Sequence, residues 1–80
     1  MVYAVVREYR HPVTFWKVLH VFKDKDKAVS YIVDYLYNNS TMEDRQTKAE
    51  INEFDHYTEY SLYTCEHGLI TVRLEKAYFD

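Results

Sequence analysis

The chain has 80 residues, of which 48% are hydrophobic and 29% charged, so it suits one small soluble domain and excludes a second domain or a Rossmann or barrel enzyme. One glycine and one proline exclude collagen-like and low-complexity disordered chains, and no apolar run reaches the roughly 18 residues of a membrane-spanning helix. The formal net charge is −3, with +2 on residues 1–40 and −5 on residues 41–80, which excludes a uniformly basic surface for nucleic acid.

The first two predicted strands cover residues 2–9 and 14–22. The segment VYAVVREY is rich in β-branched and aromatic residues, and its beginning is apolar on both faces, as in an inner strand. Pro12 has no amide donor for a sheet ladder, so the chain reverses over residues 10–13. Alternation in the second strand predicts one face with Phe15, Leu19 and Val21 and another with Trp16, Val18, His20 and Phe22.

The middle of the chain predicts one main helix over residues 24–37. Asp24 is a suitable N-cap, since its carboxylate can accept from the free amides of the first turn. Asn38 and Asn39 can adopt the left-handed conformation that ends a helix. One apolar helix face follows from the spacing i, i+3, i+4, i+7 and i+8 of Ala28, Tyr31, Ile32, Tyr35 and Leu36.

Residues 41–52 predict a short, exposed second helix, and a mobile acidic loop over residues 41–55 is the alternative. Ser40-x-x-Glu43 has the spacing of a capping box, and Asp44 with Lys48 forms an i, i+4 pair. The apolar residues nearby form no continuous stripe.

The last two predicted strands cover residues 57–65 and 69–79, joined by a turn at Glu66, His67 and Gly68. In the final strand Ile70, Val72 and Leu74 alternate with polar residues, so one face is expected to be buried. The order ββα(α)ββ predicts a single α+β domain over residues 1–80, with a four-stranded antiparallel sheet and one main helix packed on one face.

The first half of the chain resembles a group of short ββαββ proteins encoded by tailed phages. The resemblance rests on Val21-Phe22, the charged residues 23–27 and Ala28-x-x-Tyr31-Ile32, and it covers residues 2 to about 37. It implies a phage-like origin and a role in interacting with host components. It implies no catalytic residue.

Enzymatic and metal-binding chemistry find little support in the residue pattern. Cys65-x-His67 with His56 and Asp55 lacks the paired spacing of zinc sites. Nothing near Cys65 in sequence activates it as a nucleophile for a pair with His20 or His67. One glycine cannot build a phosphate-cradling loop. We therefore expect no enzymatic activity, no metal and no cofactor.

The single cysteine and the N-terminal residues bear on location. Cys65 cannot form an internal disulfide, and residues 1–3 lack the layout of a signal peptide. These features predict a cytoplasmic protein with no membrane partner, in the host cytoplasm if the protein is viral.

The aromatic and acidic residues favour a protein-binding function. One helix covers one face of a sheet, so some of the aromatic residues are expected to remain exposed, where they suit contacts with a protein partner. Acidic neighbours favour a partner with a basic surface, for example a host nucleic-acid-handling protein that a phage-type inhibitor would block. A homodimer through the same aromatic patch is a further possibility. The candidate binding residues are Trp16, Tyr57, Tyr63, Glu43, Asp44, Glu50, Glu53, Asp55 and Glu59.

A nucleic-acid-binding sheet face is the alternative function. Exposed rings can stack on bases, and nearby cations can contact phosphates. The acidic net charge and the lack of a basic stripe disfavour it. The residues that would serve are Trp16, Tyr3, Tyr9 and Tyr63, with Arg7, Lys17 and Arg73.

Overall fold

The computed structural model describes residues 1–10, 13–46 and 49–77, which form five strands and two helices. The elements in chain order are β1 (Val2–Tyr9), β2 (Phe15–Phe22), α1 (Lys25–Asn38), α2 (Met42–Gln46), β3 (Glu50–Glu53), β4 (Tyr57–Thr64) and β5 (Gly68–Ala77). The strands form one antiparallel sheet in the order β2-β1-β5-β4-β3. The predictions that involve Pro12, Lys48 and residues 78–79 lie outside the described residues.

The prediction of a four-stranded sheet is wrong, because β3 adds a fifth strand. Residues 41–52 do not form one helix: α2 is five residues long, and Glu50–Glu53 then pairs along the edge of β4. All four residues of β3 are exposed, so its sequence shows no alternation of apolar and polar residues that would predict a half-buried strand. Backbone hydrogen bonds to β4 stabilise β3, and Ile51 forms a cross-strand pair with Tyr60 directly opposite.

Helix α1 begins and ends with side-chain hydrogen bonds to its own backbone. The Asp24 carboxylate accepts from the Asp26 amide at 2.9 Å, as its predicted N-cap role requires. At the other end Asn39 keeps a negative φ of −104° and donates from its side-chain amide to the Tyr35 carbonyl at 2.7 Å. The helix therefore ends without the predicted left-handed residue.

The hydrophobic core lies between α1 and one side of the sheet. Ala28, Ile32 and Leu36 of α1 are buried, at the predicted helical spacing. They pack against one face of the central strands, where the buried residues are Val5, Leu62, Ile70, Val72 and Leu74. This side of the sheet is called the helix face below.

A β-bulge in β2 changes which residues face the core. Val5 pairs with His20 and Val6 pairs with Val18, so Leu19 is an extra residue between them. His20 and Phe22 therefore lie on the helix face, where both rings contact Tyr31. Val21 lies on the opposite side with Trp16 and Val18. Strict alternation places His20 and Phe22 on the same face as Trp16 and Val18, and Val21 on the opposite face. This prediction is wrong because alternation does not allow for the extra residue.

The opposite side of the sheet is covered by no described element and is called the open face. The register of the five strands places on it Val2, Ala4, Val6, Glu8, Trp16, Val18, Val21, Glu50, Asn52, Tyr57, Glu59, Ser61, Tyr63, Leu69, Thr71, Arg73, Glu75 and Ala77. Helix α1 contacts β1, β2 and β5, and α2 contacts β4. Within the described ranges, neither helix has the length and apolar character that crossing a membrane requires.

The core predicts unequal effects for two adjacent helix residues. Ile32 is fully buried, whereas Val33 is 55% exposed. We expect Ile32→Ala to lower the free energy of unfolding by about 2–5 kcal/mol through lost burial and a cavity. Val33→Ala is expected to change it by less than about 0.5 kcal/mol. Urea unfolding followed by circular dichroism measures both, and equal effects would contradict the assigned orientation of α1.

Candidate functional site

The centre of the open face is an arginine held between two aromatic rings. The guanidinium carbon of Arg73 on β5 lies 3.9 Å from the ring centroid of Trp16 on β2 and 4.3 Å from that of Tyr57 on β4. Cation–π attraction between a guanidinium and each ring stabilises such a stack. Beneath it Val6, which pairs with Arg73 across the ladder, is buried although no helix covers it. The stack thus joins β2 to β5 and β4 across β1, which lies between β2 and β5.

Two carboxylates flank the same guanidinium. Arg73 Nε lies 3.8 Å from Glu59 Oε2, and its Nη1 lies 4.0 Å from Glu75 Oε1. These separations are ion pairs rather than hydrogen bonds, and Arg73 Nε has no hydrogen-bond partner among the described residues. The carboxylates offset the positive charge of the stack, so Arg73 does not make the open face basic.

The rest of the open face combines exposed apolar groups with further carboxylates. Beside the stack, Val18 is 57% exposed and Val21 is 49% exposed. Glu8 and Glu50 bring the carboxylates on this face to four, against the one guanidinium of Arg73. Arg10, just beyond β1, pairs with Glu8 at 3.4 Å. The face therefore keeps an excess of negative charge around an apolar and aromatic centre.

The structure brings five of the nine predicted binding residues onto the open face. These are Trp16, Tyr57, Tyr63, Glu50 and Glu59. Glu53 lies on β3 like Glu50 but on the helix side of the sheet, because residues an odd number of positions apart on one strand face opposite sides. Asp55 lies in the β3–β4 turn, and Glu43 is exposed on α2. The acidic side chains in the segment 41–55 therefore do not form one patch.

Asp44 is buried and has a structural role, so we remove it from the candidate binding surface. One carboxylate oxygen accepts from the Thr41 amide at 2.9 Å, and the other accepts from the Cys65 amide at 3.1 Å. The Asp44 amide donates in return to Thr41 Oγ1 at 3.2 Å. The capping box is thus Thr41-x-x-Asp44, one residue later than the predicted Ser40-x-x-Glu43. It joins α2 to the turn between β4 and β5.

The four residues of the candidate metal site are not brought together, although Cys65 and His67 share one turn. Asp55 and His56 lie in the β3–β4 turn, and Cys65 and His67 lie in the turn at the other end of β4, roughly 26 Å away for eight strand residues. The Cys65 side chain is exposed, and its interaction with the Asp44 carboxylate raises the pKa of the thiol. A raised pKa reduces the thiolate fraction at neutral pH and so opposes nucleophilic activity.

The residues of the nucleic-acid alternative are divided between the two sides of the sheet. Tyr3, Tyr9, Arg7 and Lys17 share the helix face by register, whereas Trp16, Tyr63 and Arg73 lie on the open face. Arg73 is already paired with two carboxylates. Among the described residues, the open face therefore sets its exposed rings beside one paired cation, whereas binding of single-stranded nucleic acid combines rings with several free cations.

Sequence reasoning missed the feature that organises the open face. The sequence alone indicates Arg73 only as a phosphate contact, and strict alternation places Val21 on the other side of β2. The signal in the sequence is the alternation of Thr71, Arg73 and Glu75 opposite Tyr57 and Glu59. It becomes informative only when the pairing register of β4 with β5 is known.

No protein-family model, curated protein or solved structure matches this chain.

The role of Asp44 predicts a dependence of stability on pH. Hydrogen bonds from Thr41, chiefly from its backbone amide, hold the pKa of Asp44 below its ordinary value of 3.8. A lowered folded-state pKa contributes stability above pH 3.8 that is lost as the pH falls through the folded value. We expect Asp44→Asn to lower stability at pH 7 and to flatten the acid limb of the stability curve. Thermal unfolding between pH 2 and 7 measures this.

Glu43→Gln is the control for this prediction, since it removes a neighbouring carboxylate of α2 that makes none of these hydrogen bonds. If Glu43→Gln and Asp44→Asn change the dependence of stability on pH equally, the hydrogen bonds of the Asp44 carboxylate to Thr41 and Cys65 do not stabilise the fold.

The stacked arginine predicts a spectroscopic change. Trp16 is the only tryptophan, so its fluorescence reports the stack directly. We expect Arg73→Gln to shift the Trp16 emission to longer wavelength and to lower stability by about 0.5–2 kcal/mol through the lost cation–π contacts. Arg10→Gln, which removes an exposed ion pair, is expected to leave the emission unchanged. Identical spectra for Arg73→Gln and the wild type would refute the stack.

Proposed function

We propose that this protein is a non-enzymatic binding module whose open face engages a protein partner with a basic surface. The observation that supports this most directly is the exposed Trp16, Val18 and Val21 beside a stacked, acid-flanked arginine. An apolar and aromatic patch on one side of a sheet, covered by no described element, suits a protein interface. No substrate or cofactor chemistry is needed for such a role.

The arrangement of the aromatic groups supports tight contact at low entropic cost. Trp16 and Tyr57 are held in place by the Arg73 guanidinium between them. Side chains that are fixed before association lose little rotamer freedom when a partner binds. Tryptophan, tyrosine and arginine are also the residues that most often dominate interface energies. The stack is therefore expected to be the centre of the interface.

The carboxylates decide between the classes of partner. The phosphates of a nucleic acid would meet Glu8, Glu50, Glu59 and Glu75 with like charge, and so would the open face of a second copy. A face rich in lysine and arginine would meet them with opposite charge, which speeds association and excludes acidic competitors. The charge thus favours a different, basic protein over both a nucleic acid and a homodimer.

A blocker of a nucleic-acid-binding groove is the specific form of this proposal. Proteins that bind nucleic acids present grooves of lysine and arginine, and most of their affinity comes from those cations. An acidic face with a rigid aromatic centre is complementary to such a groove. The resemblance to tailed-phage proteins implies only a role in interacting with host components, which is compatible with such a blocker.

The test uses matched variants on the two sides of the sheet. Two variants alter the open face, Glu50→Lys and Trp16→Ala. Two controls alter the helix side at an exposed glutamate and an exposed aromatic residue, Glu53→Lys and Tyr37→Ala. Affinity capture from extract of the native host identifies the partner, and calorimetry of the purified pair measures each variant. We expect Trp16→Ala to weaken binding by about 10-fold or more. Glu50→Lys should weaken it at low salt, and both helix-side variants should bind as the wild type does.

The helix-side variants also report on a competing surface. An apolar groove of about 220 Å³, lined by Val33, Tyr37, Ile51 and Tyr60 among others, lies between α1 and the β3–β4 pair. Loss of binding by Tyr37→Ala with retention by Trp16→Ala would make that groove the interface and refute the proposal. If the captured partner binds nucleic acid, a double-stranded DNA fragment should displace this protein from the partner. Simultaneous binding of the DNA and this protein to the partner would refute the groove-blocking form of the proposal.

A further inference from the structure

A second arginine lies between two rings on the helix face. The guanidinium carbon of Arg7 on β1 is 4.5 Å from the ring centroid of Tyr9 and 5.5 Å from that of Tyr35 on α1. Arg7 also donates from Nη1 to the Tyr35 hydroxyl. The residue is only partly exposed, and its Nε is buried. Its position thus repeats the aromatic setting of Arg73.

Arg7 differs from Arg73 in its charge partners. Arg73 is paired with two carboxylates, whereas none of the described carboxylates lies within ion-pair distance of Arg7. Burial raises the pKa of Tyr35, so its hydroxyl is neutral near pH 7 and supplies no negative charge. The buried Arg7 Nε also has no hydrogen-bond acceptor among the described residues. The partly buried guanidinium charge therefore has no anionic partner among the described residues, and an anion bound beside it would offset the cost of that burial.

A cleft opens beside Arg7 where two neighbouring strands separate. The ladder between β1 and β5 ends at the pair Glu8 and Thr71. Beyond it β1 continues toward β2, with Tyr9 opposite Phe15, while β5 follows β4 to Gly68. The space between has a volume of about 360 Å³. It is lined by Arg7, Glu8, Tyr9, Arg10, His67, Gly68, Leu69 and Thr71.

We propose that this cleft binds a small organic oxyanion, a carboxylate or a phosphate monoester, with Arg7 as the principal ligand. The planar guanidinium offers donors that match either oxyanion. Arg10 adds a second positive charge at the cleft, although Glu8 shares it. Tyr9 and Leu69 offer apolar contact to the body of the ligand. The volume lies in the range of sites for small molecules.

The proposal does not depend on the protein-binding function of the open face. Arg7 and Tyr9 lie on the helix face, away from Trp16 and Arg73. It also needs no glycine-rich loop, because side-chain donors rather than backbone amides hold the anion. The cleft shares Glu8, Leu69 and Thr71 with the open face, but its principal ligand Arg7 lies on the other side of the sheet from Trp16 and Arg73.

Arginine side-chain NMR tests the proposal directly. The Nε–H signals of Arg7 and Arg73 are followed during titration with phenyl phosphate and, separately, with benzoate, against sodium chloride at equal ionic strength. We expect the Arg7 signal to shift and saturate with at least one probe while the Arg73 signal stays in place. Saturation with only one of the two identifies the oxyanion as phosphate or carboxylate.

Two variants complete the test. Arg10→Gln keeps the Arg7 contacts with α1 and is expected to weaken binding several-fold, since it removes one of two cations at the cleft. Lys25→Gln removes an exposed cation at the start of α1, away from the cleft, and should leave binding unchanged. No saturable Arg7 shift with either probe would overturn the proposal. Equal shifts of Arg7 and Arg73, or equal weakening by both variants, would show non-specific ion binding and overturn it as well.

Discussion

The packing of α1 against one side of the sheet is the constraint on which the other features depend. Ala28, Ile32 and Leu36 bury the helix against the central strands, and the chain has no second long helix among its described residues for the other side. A five-stranded sheet with one covered face must stabilise the other with its own side chains. The Trp16–Arg73–Tyr57 stack does this, since it shields Val6 from water without a covering element.

The two stacked arginines show how one type of contact is used in two ways. Both guanidiniums lie between aromatic rings, and for both the buried Nε has no acceptor among the described residues. On the open face Glu59 and Glu75 neutralise Arg73, so the stack is a rigid contact surface with negative charge around it. On the helix face the hydrogen-bond partner that the described residues give Arg7 is the neutral Tyr35 hydroxyl, so its charge is available to a ligand. The difference between them lies in their neighbours and not in their stacking.

The sequence predicts the features that depend on periodicity and fails where the geometry departs from it. The helical spacing from Ala28 to Leu36 and the alternation from Ile70 to Leu74 each bury one face, so these segments could be read directly. Strand β3 could not, because Glu-Ile-Asn-Glu at a sheet edge buries none of its residues. The bulge at Leu19 inverts the faces of the last part of β2, and a bulge has no reliable signal in a single sequence. The open face was therefore predicted to exist, but its composition followed only from the register.

The negative charge on the open face acts against the self-association that its exposed apolar and aromatic groups favour. Apolar groups exposed on a sheet favour self-association, and β2 is a long edge strand of the kind that pairs with other chains. Carboxylates around the stack oppose contact between two copies, since each would meet the same excess of negative charge. They do not oppose a basic partner, for which the same groups are attractive. In the proposed interface the carboxylates would set specificity, while Trp16, Val18 and Val21 would supply the contact area.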